Sequence, residues 1–301
     1  MDASAQRPIV AQTLPSRNEF DEQAYVQLHP DVAAAIRAGV VGSGWQHFTL
    51  HGLKEGRAWV PQPDPLVGVR REIAPDDEMF RGDEEHYFDV GASALHCIEA
   101  ALFTARRQAS TLHRILDLPC GHGRVLRFLR RAFPAAQLTA CDLNRPGVEF
   151  CARTFGAVPV VSSVDVAQIP LGEPYDLIWC GSLLTHLPRG QWTAFLQLFH
   201  RLLAPGGIVV CTTHGRSCEA DLVAGKHRYG LEDAPIAALL AEYRRTGFGY
   251  VDYADSPGYG ISLALPSYVL KNFVQQPGWQ LLGYHETAWD QRQDVIALRK
   301  G

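Results

Sequence analysis

The sequence predicts an α/β fold: a mostly parallel sheet with helices on both faces, preceded by a small helical module. Three observations carry that expectation. Residues 115–129, ILDLPCGHGRVLRFL, read as a buried strand, an acid, a tight glycine turn and then a helix. Residues 137–142 (QLTACD) and 175–180 (YDLIWC) are further apolar runs that read as strands. Residues 18–60 instead show capping residues, helical apolar spacing and glycine stops.

Residues 1–17 are polar and punctuated by proline, the composition of a disordered tail. In residues 18–60, Asn18 or Asp21 caps a helix bearing Phe20, Ala24, Tyr25 and Leu28. A second short helix over 31–38 is closed by Gly39, and a third around 45–51 ends at Gly52. A unit this short has little core of its own. It is expected to pack on the main domain or on a protein partner, with Trp45, Phe48 and Trp59 as its interior. Residues 61–75 begin with alternating prolines and read as an extended, semi-rigid linker. The main domain opens at 76, with a helix over 93–107 before the first strand.

In that strand Ile115 and Leu116 are the apolar run, and Asp117 sits where it emerges. Gly121 and Gly123 make the turn, and Val125, Leu126, Phe128, Leu129 and Phe133 give the helical spacing after it. Such a junction leaves backbone N–H groups free and lets a nucleotide-like ligand approach the chain. A dinucleotide is disfavoured on two counts. Its G-x-G-x-x-G fingerprint needs a third glycine, and here Gly123 is followed by Arg124, Val125 and Leu126. Asp117 would also repel a pyrophosphate. A ligand with a positive centre and no phosphate tolerates that acid, and S-adenosylmethionine, with its sulfonium, amino group and ribose, fits.

The next strand ends at Asp142, where a ribose diol would be held by two accepted hydrogen bonds, with Leu143 following. After the run 158–161, Asp165 lies in a loop placed to accept from an adenine amino group. Residues 175–180 make the fourth strand and 208–213 the fifth. Residues 214–260 are far longer than an ordinary connection and read as a substrate lid, in which Tyr253 and Tyr259 are candidates to line an acceptor pocket. The chain returns through a helix at 267–274 and strands at 279–286 and 293–300.

The ordered series DLPCGHG, CDLN, SVDVAQIP, YDLIWCGSLLTHL, LLAPGG and IVVCTTHG resembles a class I S-adenosylmethionine-dependent methyltransferase over residues 76–301. The resemblance implies a Rossmann-like seven-stranded sheet with a last antiparallel strand. It also implies that Asp117, Gly121 and Gly123 carry the methionine end, Asp142 the ribose, and Asp165 with Val166 the adenine. Tyr87 and Gly91 fall in the region that closes over the methionine moiety in similar enzymes; packing of a helix on the sheet explains them equally well. One departure stands out: Pro119 occupies a position usually held by glycine, removing an N–H and stiffening the turn. The front segment, for its part, resembles a helical module that precedes other domains in bacterial glycosyltransferases and surface-associated proteins.

Composition narrows the choice further. The chain has 301 residues, 28 basic against 32 acidic, and a formal charge of −4, so it lacks the electrostatic footprint of a nucleic-acid binder. Arg124, Arg127, Arg130 and Arg131 recur at helical spacing and read as a solvated helix face. Seven cysteines without a C-x-x-C pair suggest free thiols in a reducing cytoplasm. The twelve histidines show no paired ligand spacing, so no metal is expected, and His113 and His122 read as surface or loop residues. No apolar leader or membrane span is expected.

A sulfonium methyl is already electrophilic, so the protein mainly has to align the acceptor. An O or N acceptor on a small molecule or sugar-containing, glycan-related metabolite needs a base, and His186 in LLTHLP is the candidate, with pocket shaping as its alternative role. Two other functions remain open: a nicotinamide (NAD)-dependent oxidoreductase and a non-catalytic S-adenosylmethionine-binding protein.

Overall fold

The computed structural model describes residues 8–10, 13–15, 20–61, 66–172, 174–274 and 278–301. It divides into two units, Met1–Val67 and Gly68–Gly301.

The first unit holds β1 (Ile9–Val10), α1 (Glu22–Leu28), α2 (Pro30–Arg37), α3 (Gly44–His47), a π turn at Phe48–Gly52 and β2 (Ala58–Trp59). Asp21 caps α1 by accepting from Ala24 N–H at 2.9 Å; the alternative cap, Asn18, lies outside the described residues. Two expectations need correction. Ile9 and Val10 do not belong to a disordered tail but pair antiparallel with Trp59 and Ala58. The unit also has a core of its own, since Phe20, Tyr25, Val32, Phe48 and Trp59 bury against one another and aromatic side chains bury large areas.

The second unit contains α4 (Glu84–Thr104), β3 (Arg114–Asp117), α5 (Leu126–Ala132), β4 (Gln137–Asp142), α6 (Arg145–Phe155), β5 (Val158–Val161), β6 (Tyr175–Cys180), α7 (Arg189–Leu202) and β7 (Leu203–Thr213). Beyond these lie α8 (Arg216–Val223), α9 (Asp233–Thr246), β8 (Phe248–Tyr253), β9 (Ser256–Ala264), α10 (Pro266–Val274), β10 (Trp279–Trp289) and β11 (Gln293–Lys300). The seven-stranded sheet runs β10-β11-β7-β6-β3-β4-β5. From β7 to β5 neighbours are parallel, while β11 is antiparallel to both β7 and β10. This is the Rossmann-like order with a last antiparallel strand that the sequence implied.

Ile115 and Leu116 are fully buried, as a strand covered on both faces requires. The connections from β3 run outward to β4 and β5, and β6 then returns to the other side of β3. That reversal opens a crevice at the carboxyl ends of β3 and β6, where open α/β sheets bind ligands.

Several boundaries differ from the sequence reading. Helix α4 begins nine residues before position 93, at Glu84, because Asp83 caps it through His86 N–H at 3.0 Å and two acids follow. The linker expected over 61–75 does not reach 75 as a free spacer. Val69 and Ala74 are buried, and the carbonyls of Arg70 and Glu72 accept from Arg127 at 2.9 and 3.0 Å. The arginine series is likewise not a solvated face. Arg127 is 1% exposed and also donates to Gly123 O, and Arg130 donates to Phe155 O and Ala136 O; the stripe ties α5 to surrounding carbonyls.

The inserted segment folds as α8, α9 and the β8–β9 hairpin and runs on to Ala264. It has its own interior, in which Cys218, Leu222, Leu239, Tyr243, Ile261 and Leu263 pack together. All seven cysteines are free. No described helix is long and apolar enough to cross a membrane.

Candidate active site

The glycine turn after β3 is held from beneath. Cys120 N–H donates to Cys141 O at 3.1 Å, and Gly121 N–H donates to Asp142 Oδ2 at 2.8 Å. Asn144 N–H donates to the other carboxylate oxygen, Oδ1, at 2.9 Å. Asp142 therefore fastens the first strand's turn to the tip of the second, and each oxygen retains a lone pair for a ligand hydroxyl. Gly121 has φ +49° with open space where a Cβ would stand, and it lines the crevice. Gly123, at φ +80°, would bring a Cβ within 2.5 Å of Phe155 Cε2. Its smallness serves packing of the turn on α6, and it does not line the crevice.

The crevice is a cavity of about 550 Å³, within the usual range for small-molecule sites. Asp117 is its most unusual wall. The side chain is 1% exposed, and neither carboxylate oxygen has a hydrogen-bond partner. Burial, and to a lesser degree the nearby Asp142, push its pKa well above the ordinary carboxylate range. Arg124 lines the same cavity. Its guanidinium lies 5.9 Å from the Tyr87 ring and 6.0 Å from the Trp289 ring. Burial lowers its pKa below the usual arginine value, and no carboxylate among the described residues pairs with it.

His122 joins this wall; it lies in the loop, as expected, but is 3% exposed and not on the surface. Its Nε2 is 3.4 Å from Asp76 Oδ1 and its Nδ1 is 3.8 Å from Asp77 Oδ1. Asp77 in turn accepts from Met79 N–H at 2.9 Å and Tyr87 O–H at 2.5 Å.

At the far end, the loop after β6 is fixed by Ser182, at φ +55°. Its N–H donates to Thr212 Oγ1 at 2.7 Å, Thr212 donates to Gln293 Oε1 at 2.6 Å, and Gln293 Nε2 donates back to Ser182 Oγ at 3.2 Å. This closed ring across β6, β7 and β11 carries the following turn, Leu184–His186, to the cavity. His186 lines the cavity. Its Nδ1 is 2.8 Å from Gly260 O and 3.3 Å from Tyr253 Oη. The ring stacks on Tyr259 at 5.0 Å between centroids and 24° between planes. Burial lowers the His186 pKa, and the Gly260 bond opposes that only in part.

Asp117, Pro119, Gly121, Asp142, Leu143, His186 and Tyr259 all line the one cavity. Besides Gly123, five other candidates do not. Tyr87 is buried with its hydroxyl between Asp77 and Arg127, at 2.5 and 3.2 Å. A Cβ on Gly91 would come within 2.4 Å of both Arg124 O and Phe128 Cε2, so Gly91 is a contact between α4 and α5. Asp165 spends its carboxylate on Ala167 N–H at 3.0 Å and Gln168 Nε2 at 3.1 Å, capping the turn Val166–Gln168. Asp165 and Val166 instead edge a neighbouring groove between this turn and α7. Ser162, Ser163 and Val164 face the cavity in their place. Tyr253 stands behind the wall, touching His186 and Tyr259. Sequence reasoning missed Asp77, Arg124, Trp179 and Trp289 as cavity walls; only Asp77, in the acidic stretch before α4, carried a readable signal. No cluster of metal-ligating side chains occurs among the described residues.

Residues 115–207 match the family model described as "Methyltransferase domain". The chain is 31% identical over 157 residues to phthiotriol/phenolphthiotriol dimycocerosates methyltransferase 1 of Mycobacterium ulcerans (strain Agy99), covering 51% of each chain. It is 31% identical over 154 residues to the fatty-acid O-methyltransferase of Mycolicibacterium smegmatis, covering 50% of this chain and 49% of that one. The chain thus spans about half the length of these curated relatives. Among solved structures, the N-methyltransferase NodS of Bradyrhizobium japonicum WM9 with S-adenosyl-l-homocysteine superposes with a TM-score of 0.45 at 17% identity, covering 79% of this chain and 99% of that one.

Proposed function

We propose that this chain transfers a methyl group from S-adenosylmethionine to an oxygen or nitrogen of a small-molecule acceptor. The observation that carries the reading is Asp117, a buried carboxylate with two unpartnered oxygens in the wall of a ligand-sized cavity. An unpaired buried charge is costly, and a cationic ligand group relieves it. The match of 115–207 to a methyltransferase domain supports the same reading.

The side chains present suit that cofactor. Asp117 would receive its ammonium group and Arg124 its carboxylate, while Asp142 would accept from the ribose hydroxyls. Leu143 and Val164, both exposed within the cavity wall, offer apolar contact to the adenine. When bound, S-adenosylmethionine supplies an electrophilic methyl on a sulfonium. The protein contributes alignment, the exclusion of water by Trp179, Trp289, Leu183 and Phe195, and a proton acceptor at His186. The acceptor itself is taken to be small and partly apolar, sugar-containing metabolites included. Free thiols throughout fit a reducing compartment.

Calorimetric titration with S-adenosylmethionine and, separately, with NAD tests the assignment. Saturable binding of the first alone is expected. Binding of NAD in its place would restore the oxidoreductase reading.

A further inference from the structure

The hydrogen bonding around His186 restricts which acceptors the cavity takes. A carbonyl oxygen only accepts, so the 2.8 Å contact with Gly260 O requires the proton on Nδ1. The Tyr253 hydroxyl oxygen, at 3.3 Å from the same nitrogen, takes a weaker share of that proton. Nε2 therefore holds a bare lone pair. It bonds no group among the described residues, while its ring forms part of the cavity wall.

The lid hairpin sets this state. Gly260, Tyr253 and Tyr259 all lie on β8 or β9, so one hairpin fixes the tautomer and, through the 24° stack of Tyr259, the plane of the ring. Neighbouring groups do not favour a second ring proton. His214 stands 6.2 Å away by ring centroids, Tyr253 and Tyr259 supply no carboxylate, and burial itself favours the neutral form.

Resting on the methyltransferase reading, we infer that the lid hairpin holds His186 as an Nδ1–H imidazole whose bare Nε2 selects acceptors that arrive with a proton, alcohols or phenols on an apolar body, and rejects carboxylates. A hydroxyl donates to Nε2, whereas a carboxylate would set its own lone pairs against it. In the transfer, the acceptor oxygen gives its proton to Nε2 and bonds the methyl carbon. The pair that joined that carbon to sulfur stays on sulfur, which leaves as a neutral thioether. The imidazolium so formed is stabilised where it already donates, at Gly260 O and Tyr253 Oη. The apolar walls Leu183, Leu187 and Phe195 accommodate the body of such an acceptor.

The test is long-range proton–nitrogen correlation NMR on the full chain carrying labelled histidine, with His186 assigned from the spectrum of His186→Asn. At neutral pH the expected state is protonated Nδ1 and unprotonated Nε2. Addition of 2-naphthol to the chain with S-adenosylhomocysteine should move the Nε2 resonance, with binding roughly tenfold or more tighter than 2-naphthoate. An Nε2–H tautomer, an imidazolium, or equal affinity for the two probes (none for either included) overturns the inference. S-Adenosylhomocysteine failing to bind at all would instead remove the methyltransferase reading beneath it.

Discussion

Replacing Asp117 with asparagine should make the chain more stable and a poorer binder of its cofactor. The side chain is 1% exposed and both oxygens lack partners, so the native fold carries an unsatisfied acid beside Asp142. An unsatisfied buried polar group costs about 1–3 kcal/mol, more when charged. Asparagine keeps the shape and removes the charge. We expect a gain of about 1–3 kcal/mol, with each kcal/mol raising Tm by about 2–4 °C for a unit of this size. The sign with pH follows from the raised pKa of Asp117. The unfolded chain ionises this group at the ordinary value of 3.8, and the folded chain only at higher pH. Wild-type stability is therefore lost as pH rises from there through the folded value, and the asparagine chain is spared that loss. Cofactor binding moves oppositely: losing a charged partner of about 1.5–3 kcal/mol weakens affinity roughly 10- to 100-fold. Thermal unfolding across a pH series and calorimetry with S-adenosylhomocysteine read both effects. A less stable variant, a gain that shrinks as pH rises, or unchanged affinity would refute the reasoning.

His186→Asn should retain cofactor affinity, because its amide can still donate to Gly260 O, while turnover falls roughly 10²- to 10⁴-fold for want of a proton acceptor; steady-state rates beside calorimetry separate the two. Gly91→Ala should cost about 1–3 kcal/mol in denaturant titrations, because its Cβ would meet the Arg124 carbonyl at 2.4 Å; an unaltered midpoint would remove the proposed α4–α5 contact. Burial lowers the pKa of His214 from 6.5 to about 3. Its stabilising contribution is complete above pH 6.5 and is lost toward pH 3, at up to ~1.4 kcal/mol per pH unit. His214→Gln should flatten the acid limb of a pH–stability profile by that amount, and an unchanged slope would show the group to be ordinary.

The parts of the site written in contiguous sequence were legible. Asp117 and Asp142 sit at strand ends because apolar runs stop there, and the glycines between strand and helix mark the turn. Residues whose role depends on what they face in space are less legible. Asp165 has the composition of a ligand-binding loop, yet its carboxylate is consumed by the backbone two residues on. Tyr87 and Gly91 look like a lid motif, but the first anchors Asp77 and the second admits Phe128. Arg124 was hidden in a regular arginine stripe, because helical spacing does not say which turn faces a cavity. The tautomer of His186 depends on Gly260, 74 positions away, and no local pattern encodes it. The true start of α4 is not legible because its cap, Asp83 followed by two glutamates, lies outside the apolar periodicity that defines the rest.

A crystal structure with S-adenosylhomocysteine bound would probe the assignment at its root. The amino group should lie within hydrogen-bonding distance of Asp117 and the ribose hydroxyls against Asp142. A ligand seated elsewhere, with both Asp117 oxygens still bare, would contradict it.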